Sequence, residues 1–300
     1  MKILILGSQG FIGSNLVNYF ITRGDAVSGC DLVEFSGKHY TYHRVSILSP
    51  DFETLFINHS FDICINASGS GNVAFSVNQP ISDFEANTIS VVKVLDTLKK
   101  YQPTCKYIHI SSAAVYGNPK MLPVKENDGI YPVSPYGYHK WMSEIICKEY
   151  CNLYQLQIAV VRPFSVYGPG LKKQLIWDIC EKLKAADIIT LYGTGNESRD
   201  FLHVSDLCEL LNKIILKSEF NTDIYNAASG IETTIREIAD IFENKSGEKK
   251  RILFSGEFRV GDPINWLADI SRINKLDFTP AVSLKIGIHN YMDWYLQVTK

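Results

Sequence analysis

Short apolar runs that end in small-residue turns alternate along the chain with longer stretches of helical period. Lys2–Leu6 is such a run, stopping at Gly7, and has the pattern of a strand buried on both faces. Ser14–Phe20 follows with helical spacing, and Asp25–Asp31 reads as the strand that closes a first βαβ unit. Further strands are expected at His43–Ile47, Phe61–Asn66, Lys106–Ile110 and Gln157–Arg162. Between the second and third of these, Pro80–Lys100 predicts one long helix, with Phe84, Val91, Val92, Val94, Leu95 and Leu98 as its apolar stripe. After Val166 the pattern changes. Helical stretches at about 172–186 and 205–217 flank an alternating segment, Ile188–Gly195. Asp223–Gly230 reads as one more strand returning to the main sheet, and Ile235–Phe242 and Ile286–Leu296 are helical again. Strand and helix in alternation imply an α/β fold with a parallel sheet. The change of pattern implies a smaller lobe, with residues 1–165 and about 200–230 in the main domain and about 166–199 and 231–300 outside it.

The turns carry the chemistry. Gly7, Gly10 and Gly13, with Phe11 and Ile12 among them, lie between the first strand and the first helix. Glycines there let backbone approach a pyrophosphate, and the helix N-terminus offers it N–H groups and a positive dipole end. Asp31 ends the second strand, at about the ~20-residue distance expected of a ribose-binding acid. Its charge repels a 2′-phosphate, so NAD is favoured over NADP. The fourth strand opens into Ala67–Gly71, small side chains that admit a cofactor closely. Asn87 is read either as a partner for polar groups near that loop or as a solvent-facing residue of its helix.

Ser112 follows the fifth strand, at the carboxyl end where open α/β sheets bind ligands. Tyr136 and Lys140 lie four apart on a helix whose first position is Pro135, so they share a face. A free phenol titrates near ~10, and an ammonium one turn away favours the phenolate. Such a pair can take a proton from an alcohol or return one to a ketone. With 16 tyrosines, roughly one Tyr-x-x-x-Lys is expected by chance, so the rest of the pattern has to support it.

Composition narrows the partners. A net charge of −2 provides no basic field for nucleic acid. No apolar run approaches the ~20 residues of a membrane span, and Ile3–Leu6 is too short for a signal-peptide core. The seven cysteines are odd in number and form no Cys-x-x-Cys, which suits reduced thiols in a cytoplasmic protein and argues against disulfides or a metal site.

With these pieces in place, the chain resembles the extended short-chain dehydrogenase/reductases, specifically the nucleotide-sugar epimerase/dehydratase family. The resemblance runs from Lys2 to about Trp294. It rests on the glycine turn, Asp31, Ser111–Gly117, Ser134–Lys140, Arg162–Gly170, Arg199–Asp206 and Arg259–Pro263, in that order. It implies a doubly wound Rossmann sheet of about seven strands and a C-terminal lobe over a nucleotide diphosphate. It also implies a homodimer built on helices at about 81–100 and 135–152. Ser112 and Tyr136 would meet the reacting sugar oxygen, and Lys140 the nicotinamide ribose. Arg199 and Arg259 would hold the diphosphate; the lesser alternative for Arg199 is an ion pair with Asp200 or Asp206. The cofactor set is then Gly7, Gly10, Phe11, Ile12, Gly13, Asp31, Ile47, Ala67, Asn87, Ser111, Tyr136, Lys140 and Pro163. The substrate set is Ser165, Arg199, Arg259 and Asp262.

Departures from the family pattern narrow the reaction. Dehydratases of the family carry Asp-Glu after the catalytic hydroxyl residue, and pentose-forming decarboxylases a Glu; here Ala113 and Ala114 stand instead. Ser165 replaces a frequent Asn, and Asn66-Ala-Ser replaces the usual His-x-Ala. What remains is hydride chemistry at one carbon. The leading expectation is an NAD-dependent epimerase at C4 of a nucleotide-activated hexose, UDP-linked, passing through a 4-keto sugar. The alternative is a 4-ketoreductase of a nucleotide 4-keto-6-deoxysugar. A non-catalytic dinucleotide sensor would be expected to lose Tyr136 or Lys140.

Overall fold

Ile3, Leu4, Ile5 and Leu6 are all buried because β1 (Lys2–Leu6) lies inside a sheet covered on both faces. The computed structural model of the chain describes residues 1–37, 39–46, 51–247, 249–257 and 264–300. After β1 the elements run α1 (Phe11–Thr22), β2 (Ala26–Asp31), β3 (Thr41–Arg44), α2 (Phe52–Asn58), β4 (Ile63–Asn66) and α3 (Val73–Asn78). Then α4 (Pro80–Phe84) passes through a π-helical turn (Glu85–Ile89) into α5 (Ser90–Tyr101). The chain continues through β5 (Lys106–Ile110), a 3₁₀ turn (Ala113–Tyr116), α6 (Pro135–Tyr154), β6 (Ile158–Pro163), β7 (Ser165–Tyr167), α7 (Gln174–Ala185) and β8 (Ile188–Leu191). It ends with β9 (Ser198–His203), α8 (Val204–Lys217), β10 (Asn221–Ala227), β11 (Glu232–Thr234), α9 (Ile235–Ser246), β12 (Arg251–Phe254), α10 (Ser271–Asn274) and α11 (Leu284–Val298).

Seven strands form the main sheet in the order β10-β6-β5-β4-β1-β2-β3, every pair parallel. Alternate residues of β1 serve its two faces. Ile3 and Ile5 pack with Leu16, Phe20 and the α8 residues Leu207 and Leu211; Leu4 and Leu6 pack with Leu95, Leu98 and Cys147. The strand order reverses between β1 and β4, so a crevice opens at their carboxyl ends, the place where such sheets bind ligands. A separate core, including Tyr167, Ile179, Phe201, Phe242 and Tyr291, belongs to the smaller sheets β11-β9-β7 and β12-β8 and to helices α7, α9 and α11. Phe11 packs against both cores. No helix among the described residues is long and apolar enough to cross a membrane.

Three expectations are corrected. The third strand is Thr41–Arg44, not His43–Ile47: Tyr42 and His43 pair with Gly29 and Cys30 at the sheet edge. That edge is half exposed, so it needs no apolar run. The helix expected at Pro80–Lys100 is interrupted by the π turn, whose extra residue turns Asp83, Asn87 and Thr88 inward. Phe84 and Val92, expected on the apolar stripe, are only half-buried as a result. Finally, α2 and α3 were not anticipated. Each is short and capped by a side chain, Asp51 accepting from Thr54 N and Asn72 from Phe75 N, both at 3.0 Å.

Candidate active site

The glycine turn is shaped by sterics. Gly7 has φ +77°, and a Cβ there would lie 2.7 Å from the Ala67 carbonyl oxygen. A Cβ on Gly13 would lie 2.0 Å from the Gly7 oxygen, so α1 could not start where it does. Gly10 N donates to Gly7 O at 3.0 Å and is the helix N-cap, with no side chain bonded to the first turn and no acid in it. The first N–H groups of α1 therefore face the crevice uncapped. Asp31 stands beside this turn: its carboxylate accepts from Gln9 N at 2.8 Å and Leu32 N at 2.7 Å.

Across the crevice, Ala67 N extends the β1 ladder by donating to Leu6 O at 3.0 Å. Asn87 is buried, not solvent-facing. Its Nδ2 donates to Asp83 at 3.0 Å, while its Oδ1 makes no hydrogen bond. That oxygen lies 2.5 Å from where a Cβ on Gly69 would be, so it is aimed at the loop after β4.

The chemistry-bearing side chains meet at the end of β5. Ser134 caps α6 by accepting from Gly137 N at 3.2 Å, with Pro135 at the first position, and this presents Tyr136 and Lys140 on one face. Ser112 caps the short 3₁₀ turn, accepting from Ala114 N at 3.1 Å, and its hydroxyl stands near enough to the Tyr136 phenol to influence its ionisation. Burial pushes that phenol above its ordinary range; the Ser112 hydroxyl pulls it down and the Asp83 carboxylate pushes it up. Lys140 is buried and donates to Ile110 O at 2.9 Å. Burial pulls its ammonium down to about 8, against the opposing influence of Asp83 and Glu144. In this arrangement the ammonium is turned to a β5 carbonyl, and burial is the largest influence on both groups.

Beneath the pair lies a network the sequence reading missed. Ser111 Oγ donates to Glu144 at 2.5 Å, and Arg162 grips the same carboxylate through Nε at 3.0 Å and an Nη at 2.6 Å. The other Arg162 Nη donates to the Tyr116 phenol at 2.7 Å, and that phenol donates to Asn226 at 2.7 Å. Asn226 N in turn donates to Glu126 at 3.0 Å. The available signal was an arginine at the end of Val160-Val161-Arg162, since a charge in an apolar strand requires a buried partner.

Farther out, Pro163 ends β6 beside Ala227, and Ser165 starts β7 beside Phe201. Arg199 on β9 donates to Ser198 O at 2.8 Å and Ile264 O at 3.1 Å, its guanidinium 5.8 Å from the Trp266 ring centre. Asp200 accepts from Ser229 N and Oγ, Gly230 N and Ala268 N, and Asp206 from Val282 N. Ile47, Arg259 and Asp262 lie outside the described residues. Among those described, no group of His, Cys, Asp and Glu could hold a metal ion, and all seven cysteines are free and buried.

A crevice with this turn, at this point of this sheet, has counterparts among known proteins. The model of the NAD dependent epimerase/dehydratase family matches residues 3–228. The chain belongs to that family. Among curated members, a putative UDP-glucose 4-epimerase of Methanocaldococcus jannaschii is 28% identical, covering 97% of each chain. A solved UDP-glucose 4-epimerase of Thermotoga maritima with UDP-glucose is 26% identical, covers all of both chains and superposes with a TM-score of 0.92. A UDP-glucuronic acid 4-epimerase of Bacillus cereus, solved with UDP-glucuronic acid and NAD, is 25% identical at a TM-score of 0.91, over 99% of this chain and 100% of that one. For an epimerase/dehydratase family member the NAD fit is direct. Gly7 and Gly13 form a cradle that any Cβ would fill, α1 offers uncapped N–H groups, and Asn87 Oδ1 is an orphaned buried acceptor.

Proposed function

We propose that this chain is an NAD-dependent epimerase acting at C4 of a nucleotide-activated hexose, UDP-linked, through a transient 4-keto sugar. One observation carries the reading: Ser112, at the end of β5 and near the Tyr136 phenol, is followed by Ala113 and Ala114. Loss of water across a sugar needs an acid and a base at those positions, and methyl groups transfer no proton. Tyr136 takes the proton of the C4 hydroxyl, Ser112 holds the same oxygen, and Tyr136 returns the proton after the oxidised sugar has turned over. Bound NAD supplies the hydride acceptor and donor for that cycle. Gly7, Gly10, Phe11, Ile12, Gly13 and Asp31 would hold its pyrophosphate and adenosine side. Ala67, Asn87, Ser111, Lys140 and Pro163 would line its nicotinamide side, with Ile47 completing the set. Ser165, Arg199, Arg259 and Asp262 would hold the sugar nucleotide, guanidinium forks suiting a diphosphate.

We assign the main domain to residues 1–165 and about 200–230, the rest forming the substrate lobe. Ile81, Met142 and Ile145 are exposed apolar residues on α4 and α6, which supports a homodimer through these helices. The cytoplasm is the compartment proposed. Incubation with UDP-glucose, UDP-N-acetylglucosamine and UDP-glucuronic acid tests the reading. A C4 epimer should form from at least one, without net production of NADH; stoichiometric NADH consumption on a 4-keto sugar would make the enzyme a reductase instead. Tyr136→Phe should keep the fold and NAD binding while turnover falls about 10²–10⁴-fold. A wild-type rate in that variant would remove Tyr136 from the mechanism.

A further inference from the structure

Asp83 is wholly buried on α4, facing α6. Its carboxylate has two partners. Oδ2 is 2.6 Å from His139 Nδ1, and Oδ1 accepts from Asn87 Nδ2 at 3.0 Å. An ionised carboxylate only accepts, so His139 Nδ1 carries the hydrogen. The histidine is itself held from two sides. Thr88 Oγ1 donates to its carbonyl at 3.0 Å, and the Phe84 ring meets its imidazole edge-on with centres 5.3 Å apart. His139 lies on α6 directly before Lys140 and three residues after Tyr136. The π turn makes this possible, because it rotates Asp83, Asn87 and Thr88 together toward α6.

Two consequences follow from the geometry. Since the Asn87 amide gives its Nδ2 to Asp83, its Oδ1 must face Gly69 and the crevice. And the Asp83 carboxylate, held by the residue that directly precedes Lys140, acts on both the phenol and the buried ammonium. The other titratable groups around them are accounted for. On α6, Glu144 is bound by the permanent cation Arg162, and burial pushes the Cys147 thiol well up. On β5, burial pulls His109 well down, so its imidazole is neutral. Asp83 is thus the carboxylate of this corner whose partner is a histidine and an amide, not an arginine.

We propose that Asp83, clamped by His139, is a positioning residue of the Tyr136–Lys140 pair: its charge sets the pH range in which the pair works, and its hydrogen bond sets the orientation of Asn87. The proposal rests on Tyr136 as the proton-transfer group. Removing a nearby anion lets a phenol ionise, and an ammonium lose its proton, at lower pH. Asp83→Asn should therefore move both limbs of the kcat/KM profile toward acid by about one pH unit, sliding the bell without narrowing it. Asp83→Glu keeps the charge and should leave the limbs in place, even where the rate falls. A purely structural Asp83 would lower the rate in both variants and move neither limb. Unmoved limbs in Asp83→Asn, or an equal slide in Asp83→Glu, overturns the proposal. An activity-free measurement stands beside it: NMR of ring-labelled tyrosine in the NAD-bound protein, with the Tyr136 signal assigned by its loss in Tyr136→Phe. Its titration should fall by a similar amount in Asp83→Asn, or in Asp83→Ser if the first variant does not fold. This separates the two readings, since full activity of Tyr136→Phe would sink the base assignment while leaving the titration result intact.

Discussion

At the end of β1 the protein offers its ligand backbone; at the end of β5, two strands away in the sheet, it offers side chains. The glycine turn works because atoms are missing: Cβ atoms at Gly7 and Gly13 would collide with the Ala67 and Gly7 carbonyls. The β5 corner works because charged and polar groups are buried and bonded to each other, from Ser111 through Glu144 and Arg162 to Tyr116 and Asn226. A backbone site recognises phosphate in any pyrophosphate and is indifferent to pH near neutrality. A buried-charge site is selective and pH-sensitive, and it fails if one partner is taken away. The two regions should therefore respond differently to mutation.

The largest effect is expected in the corner. Arg162→Met leaves Glu144 as an uncompensated buried carboxylate, and breaking such a pair from one side costs about 3–5 kcal/mol. The shift in urea midpoint, at unchanged slope, measures it. Arg162→Met combined with Glu144→Leu should recover more than half of the loss, because no lone charge remains. A single-variant loss below about 1 kcal/mol would mean that the corner is not held by charge. The glycine turn should respond to volume instead. Gly13→Ala puts a methyl group into the Gly7 carbonyl, which costs about 1–3 kcal/mol as overpacking and displaces the α1 N-terminus. NAD binding, followed by calorimetry, should weaken at least about tenfold, roughly 1.4 kcal/mol. Unchanged affinity would remove the steric account of the turn.

The same contrast decides what could be read from the chain. The glycine turn, Asp31 and the strands around them are local: an apolar run, the glycines and a helix follow one another within the first βαβ unit. β4, β5 and β6 are legible for a similar reason, being buried almost throughout and therefore largely apolar, with His109 and Arg162 as buried polar exceptions. β3 is not, because an edge strand with half-exposed Tyr42 and His43 carries no such run. The π turn has no sequence signal at all. Val91, Val94, Leu95 and Leu98 give an ordinary helical stripe, and only packing against α6 shows that a residue has been added before them. The pairing of Glu144 with Arg162, and of Asp83 with His139, joins residues brought together by the fold, and no spacing in the sequence names the partner. Ser112 and Tyr136 fall between the cases. Their motifs were visible, and the structure brings the two side chains near each other.

The smallest effect concerns Asp31, where the two modes meet, since its side chain is held by backbone. The carboxylate accepts the amides of Gln9 and Leu32 at 2.8 and 2.7 Å, so it both braces the glycine turn and stands where an adenosine ribose would reach it. If its charge is what excludes a 2′-phosphate, NAD should bind at least about tenfold more tightly than NADP, a gap of roughly 1.4 kcal/mol. Asp31→Asn keeps an acceptor for one amide and removes the charge; Asp31→Ala removes both. Discrimination by charge predicts that the asparagine variant narrows the gap nearly as far as alanine does while losing less NAD affinity. Discrimination by the shape of the braced turn predicts that asparagine keeps the gap and only alanine closes it. Calorimetric titration of both cofactors into the three proteins separates these outcomes. Equal NAD and NADP affinities in the wild type would remove Asp31 from ribose recognition and leave it a brace for the turn alone.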